Sequence, residues 1–285
     1  MPPKKYEEKE IEVPFREFDM SEIPKGKKLL FIGMSNSGKT VLVKDYLYHN
    51  QNTFPIGIVI NPTEDVNHTF SAHIPRMMIF DEYDSDILIN LVNRQKELIK
   101  NKKDNPNYAN VNTNTVCIMD DCLSDSKIWK KDKIITKIFY EARHYDLTFI
   151  MTLQYAMGLP PNLRSNTDYV FLCYNGKPVE QKKLYDQFGG IFQNFNEFKQ
   201  VFQTFTANFG CMVIKMQVLS RKIEDNVFHY KTDIKSKKNW TTFRMFYKEL
   251  WDHNDEYLDT QNNESDNVIE IEKTKYKFIF DKTKK

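Results

Sequence analysis

A short glycine-containing segment near the start of the chain has residue types and a spacing that suit phosphate chemistry. It fits the pattern G-x-x-x-x-G-K-[ST], and its residues in order are Gly33, Met34, Ser35, Asn36, Ser37, Gly38, Lys39 and Thr40. Glycines let backbone N–H groups turn toward an anion where a Cβ would obstruct them, and a helix that begins there adds a favourable dipole. A glycine turn can match the pattern by accident, but the apolar run before it and the amphipathic run after it favour a nucleotide triphosphate site.

A lysine, a threonine and two aspartates supply the other parts of such a site. Lys39 would reach the β- and γ-phosphates of ATP, and the Thr40 hydroxyl would bind Mg²⁺. Asp120 follows the apolar run 116–119, where a Mg²⁺-dependent NTPase needs a carboxylate at the end of a strand. Asp121 would polarise a water against the γ-phosphate, which a simple nucleotide-binding switch does not require. The alternative is that both aspartates only cap the next helix.

Alternating strand and helix patterns surround these residues. Apolar runs predict strands over 29–32, 56–60, 115–119, 147–154 and 168–174, and more weakly over 76–80; helical spacing predicts helices over 39–49, 85–100, 127–143, 178–188 and 195–206. Residues 210–216 and 226–231 are predicted to form a closing hairpin or edge strands. This alternation indicates an α/β fold with a central, mostly parallel sheet flanked by helices.

The two ends of the chain differ in composition from its middle. Residues 1–24 mix charges with prolines and are predicted to form an N-terminal arm, and residues 25–231 carry the pattern of one ATPase domain. Residues 232–285 are rich in Lys, Asn, Asp and Thr, apart from an aromatic segment at 240–251. We expect a C-terminal extension there, with a docked helix at the aromatic segment and a loose end.

Charge and cysteine content limit the class of protein. The net charge of +2 comes from 41 basic and 39 acidic side chains, so any surface for nucleic acid must be local. The four cysteines lack C-x-x-C spacing and lie mostly in apolar runs, which predicts buried, reduced thiols. No segment approaches the roughly 18 consecutive apolar residues of a membrane helix, and the first residues lack the apolar core of a signal peptide. We therefore expect a soluble protein without a membrane span.

Three stretches together resemble a known family. They are GMSNSGKT at 33–40, CIMDD at 117–121 and EARHYDLTFIMTLQYAMGLPPNLRSNTDYVFL at 141–172. Over residues 25–231 the chain is similar to the genome-packaging ATPases of large DNA viruses, the poxvirus-type branch of the FtsK/HerA superfamily. The resemblance implies a RecA/FtsK-like P-loop NTPase that uses ATP and Mg²⁺ and forms a homo-oligomeric ring. It also implies a motor that moves double-stranded DNA into a capsid at a vertex or portal-like site, in the virion or the host cytoplasm.

The resemblance also implies roles for an arginine and a glutamine that flank one strand. Arg143 lies just before the strand at 147–154 and Gln154 ends it, as in that superfamily. A guanidinium supplied by a neighbouring subunit would raise the hydrolysis rate by roughly 10³–10⁵. Arg164 is the second choice for this finger, and a surface ion pair is the alternative for either arginine. Gln154 would contact the γ-phosphate or the attacking water, or else be a buried glutamine satisfied by backbone groups.

One departure from the family pattern concerns the second motif. Many relatives across the superfamily carry Asp-Glu there, whereas this chain has Asp120 and Asp121. The shorter second acid leaves its distance to the attacking water open.

Two lysine-rich segments are candidate DNA contacts, because a packaging motor grips the phosphate backbone without reading its sequence. They are residues 100–105 and 127–133, and a merely solvated surface is the alternative for each. Tyr155 and Met157 follow Gln154 and are expected to pack against their own domain rather than to contact DNA or a neighbour.

Other classes of P-loop protein fit the sequence less well. A nucleotide kinase would need a compact arginine cluster over its acceptor, which the sequence lacks. A GTPase-like switch needs N-K-x-D at a strand end, but residues 101–104 (NKKD) lie in a polar stretch before the strand of Asp120. A degenerate structural subunit would not need an intact Lys39 or Asp121. A P-loop NTPase with another substrate stays open as an alternative, such as a nucleotide kinase or a non-packaging translocase of DNA, RNA or protein.

Overall fold

The structure is a computed structural model that describes residues 14–122, 126–254 and 257–258. Its contacts divide the chain into two units, Met1–Tyr247 and Lys248–Lys285. The second unit is helical over residues 248–254. The predicted division into 1–24, 25–231 and 232–285 stays a prediction, although residues 232–247 belong by their contacts to the first unit.

The described residues form a mixed sheet of eight strands. The strands are β1 (Lys28–Ile32), β2 (Ile56–Ile60), β3 (Ile79–Phe80), β4 (Thr115–Met119), β5 (Leu147–Leu153), β6 (Tyr169–Leu172), β7 (Cys211–Lys215) and β8 (Val227–Tyr230). Their order is β3-β2-β4-β5-β1-β6-β7-β8. Strands β1 to β6 pair in parallel, and β7 and β8 are added antiparallel at one end. The predicted α/β fold with a mostly parallel sheet is confirmed, and so is the closing hairpin.

Helices cover the sheet at most of the predicted positions. They are α1 (Lys39–His49), α2 (Glu64–Asn67), α3 (Ser85–Asp104), α4 (Ser126–Trp129), α5 (Lys133–Glu141), α6 (Pro161–Arg164), α7 (Pro178–Phe188) and α8 (Phe195–Phe205). The prediction of one helix over 127–143 is wrong, because the chain breaks between α4 and α5. Asp132 causes this break: its carboxylate accepts from the Ile134 N–H and from the Tyr83 hydroxyl, which starts a new helix there.

The two faces of the sheet bury separate apolar clusters, because alternate residues of each parallel strand point to opposite faces. Leu30 and Ile32 of β1 pack in one cluster with α3, α5, α7 and α8. Leu29 and Phe31 pack in the other with α1. All four cysteines are buried, as predicted. Within the described residues, no helix is long and apolar enough to span a membrane.

Residues 231–247, here named the C-terminal strap, run over the face that carries α1. Lys237 Nζ lies 3.1 Å from the fully buried Asp45 carboxylate, and the Phe243 ring stacks on His73 with 4.0 Å between ring centroids. The Met245 N–H donates to the His73 carbonyl at 2.8 Å. The prediction of a docked helix over 240–251 is wrong for residues 240–247, because these contacts hold the backbone in turns and extended segments; the helix begins at 248.

Candidate nucleotide site

The carboxyl ends of three adjacent strands bring the predicted site residues to one edge of the sheet. The order β4-β5-β1 places the loop after β1, the aspartates after β4 and Gln154 after β5 next to one another. In open α/β sheets, this edge is the place where ligands bind. We call it the carboxyl edge.

The loop at 33–40 has a backbone that only glycine fits at two positions. A Cβ on Gly33 would lie 2.6 Å from Ser37 Oγ and 2.7 Å from the Cys173 Cβ, which is a steric clash. Gly38 has φ +92° and stands immediately before α1, whose first residue is Lys39. The left-handed backbone at Gly38 is unfavourable for other residues. The loop therefore presents backbone amides at a helix N-terminus, which is an anion-binding arrangement.

Lys39 is held inside the loop. Its Nζ donates to the carbonyls of Gly33 at 2.9 Å and Met34 at 3.0 Å, and the side chain is 9% exposed. Burial lowers the pKa of Lys39, and the nearby carboxylates of Asp120 and Asp121 act in the opposite direction. The ammonium group thus lies close to both aspartates. To bind a phosphate, it has to exchange its hydrogen bonds with the two loop carbonyls for hydrogen bonds with phosphate oxygens.

Thr40 and Asp120 lie in direct contact across the site. The Thr40 hydroxyl donates to Asp120 Oδ2 at 3.0 Å and lies 3.3 Å from Oδ1. Asp120 is 4% exposed, and this burial raises its pKa, although hydrogen bonds from Thr152 and Thr40 oppose the shift. A buried carboxylate beside a hydroxyl is a pair of oxygen donors, the ligand type that Mg²⁺ prefers. The two residues therefore fit a magnesium site.

Asp121 and Gln154 form a second pair beside the first. Asp121 has φ +51°, a left-handed backbone that is rare for a non-glycine residue, and its N–H donates to Thr152 Oγ1 at 3.0 Å. Gln154 Nε2 donates to Asp121 Oδ1 at 3.0 Å. The alternative of a buried glutamine satisfied by backbone groups is therefore wrong: the Gln154 amide is half-buried and bound to the second aspartate.

A cavity of about 280 Å³ joins these groups. It is lined by Lys39, Thr40, Asp120, Asp121 and Gln154, together with residues that the sequence analysis missed, among them Lys44, Thr63 and Thr152. Lys44 follows Thr40 by one helical turn, so the helical period places it on the same face of α1 and was a usable signal. Burial lowers the pKa of Lys44. Thr152 lies two residues before Gln154 at the end of β5, so the strand period places both side chains on one face and was also a usable signal.

Arg143 lies at the opposite edge of the sheet, which we call the amino edge. It stands in a short 3₁₀ turn, Ala142–Tyr145, before β5, and its Cα would lie 3.2 Å from a Cβ placed on Gly26 ahead of β1. Strand β1 separates it from the phosphate loop by roughly 20 Å, given the rise per residue of a strand. Arg143 is exposed, and its Nε–H donates only to His144 Nε2 at 3.5 Å; no described carboxylate pairs with it. It is not part of its own subunit's phosphate site.

Arg164, the second choice for a finger, has a different environment. It is 7% exposed, and its guanidinium donates to the Leu159 carbonyl. The surface ion pair considered as an alternative is absent for both arginines among the described residues. Because Arg164 is buried against its own chain, Arg143 is the one of these two candidates that is available to another molecule.

The remaining candidates lie on the surface. Lysines of 100–105 are exposed at the end of α3, near the amino edge, and those of 127–133 follow Asp121 at the carboxyl edge. Tyr155 and Met157 are 49% and 52% exposed, so the prediction that they pack against their own domain is wrong. Both precede α6 in a short 3₁₀ turn region that leaves their side chains outside the core.

The fold has a relative among solved structures. The genome packaging NTPase B204 of Sulfolobus turreted icosahedral virus 2, in complex with AMP, is 16% identical and matches with a TM-score of 0.51 over 73% of this chain and 98% of that chain. At this level of identity the similarity shows a common fold. The fold is that of a P-loop NTPase.

Sequence relatives come from large DNA viruses. The uncharacterized protein L437 of Acanthamoeba polyphaga mimivirus is 37% identical over 216 residues, 75% of this chain and 76% of its own length. The uncharacterized protein 088R of Invertebrate iridescent virus 3 is 32% identical over 206 residues, 72% of this chain and 76% of its own length. Residues 16–242 match the family described as Poxvirus A32 protein, which is most of the chain. The chain therefore belongs to the poxvirus A32 protein family.

Proposed function

We propose that this protein is a Mg²⁺-dependent ATPase that drives double-stranded viral DNA into a capsid. The observation that carries the proposal is the convergence of Lys39, Thr40, Asp120, Asp121 and Gln154 on one cavity beside a phosphate-binding loop. Such a set suits hydrolysis as well as binding, because it includes an acid beyond the one that a metal needs. The packaging function described for B204, a protein of the same fold, supports the assignment to genome packaging.

Binding begins at the loop. Backbone amides of residues 33–40 hold the phosphates of ATP, and the Lys39 ammonium moves from the Gly33 and Met34 carbonyls to the β- and γ-phosphates. This exchange is favourable because the phosphate oxygens carry negative charge, so the ammonium gains an attraction between opposite charges that the neutral carbonyls do not supply. Thr40 and Asp120 would hold Mg²⁺, and the ion would neutralise charge on the phosphates.

Hydrolysis depends on the second aspartate. Asp121 accepts a proton from the attacking water while the bond between the γ-phosphorus and the bridging oxygen breaks, giving ADP and phosphate. Gln154 keeps the Asp121 carboxylate oriented through the 3.0 Å hydrogen bond between their side chains. An oriented base contributes roughly 10²–10⁴ in rate.

Arg143 completes the site of a neighbouring subunit. It is exposed, carries no partner carboxylate among the described residues, and is too far from its own loop to act there. A homo-oligomeric ring would set the amino edge of one subunit against the carboxyl edge of the next, which is a heterologous, closing contact. Hydrolysis in each site then depends on two chains.

DNA is bound through local basic surfaces. The candidates are the lysines of 100–105 and 127–133, which contact phosphates without base readout. Residues 127–133 follow the catalytic aspartates within α4 and the turn before α5, so they are well placed to move with the state of the nucleotide. The ring acts at a capsid vertex or portal-like site, during assembly in the virion or the host cytoplasm.

The test is ATP hydrolysis by the purified protein with and without double-stranded DNA across a salt series. Stimulation by DNA that falls steeply with salt is expected, since each phosphate contact releases counterions. The Lys39→Ala variant is the control for contaminating ATPases. Hydrolysis that ignores double-stranded DNA at all salt concentrations, or that responds equally to RNA, would contradict the packaging assignment and favour another translocase or a nucleotide kinase.

A further inference from the structure

A second, larger cavity opens on the other side of the phosphate loop. It has a volume of about 770 Å³, within the range of small-molecule sites. Its walls include Gly38, Lys39 and Thr40, so it is continuous with the loop. The opposite wall consists of Phe209 and of the first residues of the C-terminal strap, Lys231 to Lys235. Neither the phosphate groups nor the catalytic residues described above account for this space.

The Phe209 side chain is presented to solvent by an unusual backbone. Asn208 and Phe209 both have left-handed conformations, with φ of +51° and +63°, and the Phe209 side chain is 70% exposed. Two successive left-handed residues are costly, and such strain is typical of functional loops. A Cβ placed on Gly38 would lie 3.9 Å from Phe209 Cδ1, so the ring reaches the phosphate loop. An exposed ring at this point is a stacking platform beside the loop.

Thr232 is a polar residue that lines the same cavity. Its Oγ1 is buried, and no hydrogen-bond partner for it exists among the described residues. A buried hydroxyl without a partner is costly unless a ligand satisfies it. The hydroxyl can both donate and accept, so it suits the edge of a base or a ribose hydroxyl.

The wall that carries Thr232 is fixed in place. A few residues later the strap is anchored to α1 by the ion pair between Lys237 and the buried Asp45, with 3.1 Å between Nζ and Oδ1. The Tyr48 hydroxyl also donates to the Lys238 carbonyl at 2.9 Å. Helix α1 also begins at the phosphate loop. The wall and the loop are therefore both attached to α1. The cavity is therefore formed before a ligand enters.

We propose that this cavity binds the nucleoside of the nucleotide, with a purine base stacked on Phe209 and its edge or ribose paired with the Thr232 hydroxyl. The proposal rests on the proposed function only in placing the phosphates on loop 33–40. The cavity shares Gly38, Lys39 and Thr40 with the loop, so a nucleotide whose phosphates lie on the loop places its nucleoside in this cavity. An aromatic platform with a hydroxyl at its side recognises a planar, hydrogen-bonding group rather than an aliphatic one. The strap thereby becomes part of the nucleotide site.

The experiment measures equilibrium binding of Mg-ATP and of Mg-tripolyphosphate by the full chain and its variants, without DNA. Phe209→Ala is expected to weaken ATP binding roughly tenfold, the size expected for one base–aromatic stack, and to leave tripolyphosphate binding unchanged. Phe209→Trp keeps the stack, so its affinity for ATP stays near that of the wild type and its fluorescence falls on binding. Leu219→Ala is the matched control, since it removes a fully exposed apolar side chain outside the cavity.

Thr232→Val provides an independent test that does not alter the ring. It is expected to weaken ATP binding about threefold through one lost hydrogen bond, without lowering the thermal midpoint of the free protein. Unchanged ATP affinity in Phe209→Ala, or an equal loss for ATP and tripolyphosphate, would overturn the proposal. Both measurements need neither hydrolysis nor DNA, so a protein without DNA-stimulated activity would refute the packaging function and leave the base site standing.

Discussion

The two edges of the sheet differ in how their charged side chains interact. At the carboxyl edge, Lys39, Asp120 and Asp121 lie around one cavity and interact with one another. At the amino edge, Lys28 is satisfied locally, since its Nζ lies 2.9 Å from Asp168. Arg143 differs from Lys28, because it is exposed and no described acid pairs with it. The comparison supports the proposal that one chain carries most of a hydrolytic site and that its Arg143 completes the site of another chain.

The largest effect is expected at the carboxyl edge. Lys39→Ala should abolish both Mg-ATP binding and hydrolysis, because Lys39 is the cation that the loop supplies to the phosphates. Fold should be retained, since the buried ammonium is itself destabilised by burial. Binding and turnover assays measure the two effects, and Lys182→Ala, on the exposed side of α7, is the control. Measurable ATP hydrolysis by the Lys39→Ala variant would contradict the proposed mechanism.

A substitution of Arg143 at the amino edge should lower turnover without changing the binding of Mg-ATP. Arg143→Ala is expected to lower the turnover number by roughly 10³–10⁵ while Mg-ATP affinity stays near that of the wild type, because a finger in trans acts on charge that develops during hydrolysis. Turnover and equilibrium binding measured on the same preparation separate the two edges. Arg221→Ala removes another exposed arginine and should be silent. Equal turnover numbers for Arg143→Ala and Arg221→Ala would contradict the proposed difference between the two edges.

Asp121→Asn tests the division of labour between the two aspartates. It should lower turnover by roughly 10²–10⁴ and leave Mg-ATP binding intact, because it removes the proton acceptor and keeps the contact with Gln154 available. Single-turnover kinetics with saturating Mg-ATP is the measurement. A variant that turns over normally would show that Asp121 is a helix cap or a structural residue rather than the base.

The smallest effect concerns stability. Burial raises the pKa of Asp120, so the folded protein favours the protonated acid, and the ionised acid costs folding free energy once the pH rises through the folded-state pKa. Asp120→Asn should therefore raise the thermal midpoint of the free protein by about 2–4 °C near neutral pH, with the difference vanishing in acid. Thermal scans across pH, without Mg²⁺ or ATP, test this. Glu97→Gln, an exposed acid of α3, should show no such trend.

The parts of the fold that local patterns specify were predictable from the sequence. The apolar strands and the phosphate loop depend on contiguous residues, so α1 begins at Lys39 and the sheet is mostly parallel, as expected. For the break before α5, the sequence offers one local signal, since Asp132 is a typical N-cap residue, but the contact of Asp132 with Tyr83, a residue distant in sequence, was not predictable. The same is true of the strap, whose packing depends on Phe243 meeting His73.

The candidate site likewise contains residues that were predictable from the sequence and residues that were not. The loop and Asp120 follow from a spaced motif and a strand end, whereas Lys44 required the helical period to be applied beyond the motif. Phe209 could not be found from the sequence, because a single aromatic residue in a loop has no pattern. Its proximity to Gly38 comes from the position of β7 in the sheet order, which is a property of the tertiary fold.

Subunit mixing tests the central claim, that hydrolysis takes the cavity of one chain and Arg143 of another. Arg143→Ala and Asp121→Asn subunits, each inactive alone, are mixed in equal amounts and assayed for hydrolysis with Mg-ATP. Random assembly of a ring should restore about a quarter of the wild-type rate, the share of interfaces that join an intact cavity to an intact arginine. A mixture no more active than the two separate variants, in rings verified to contain both, would contradict the account.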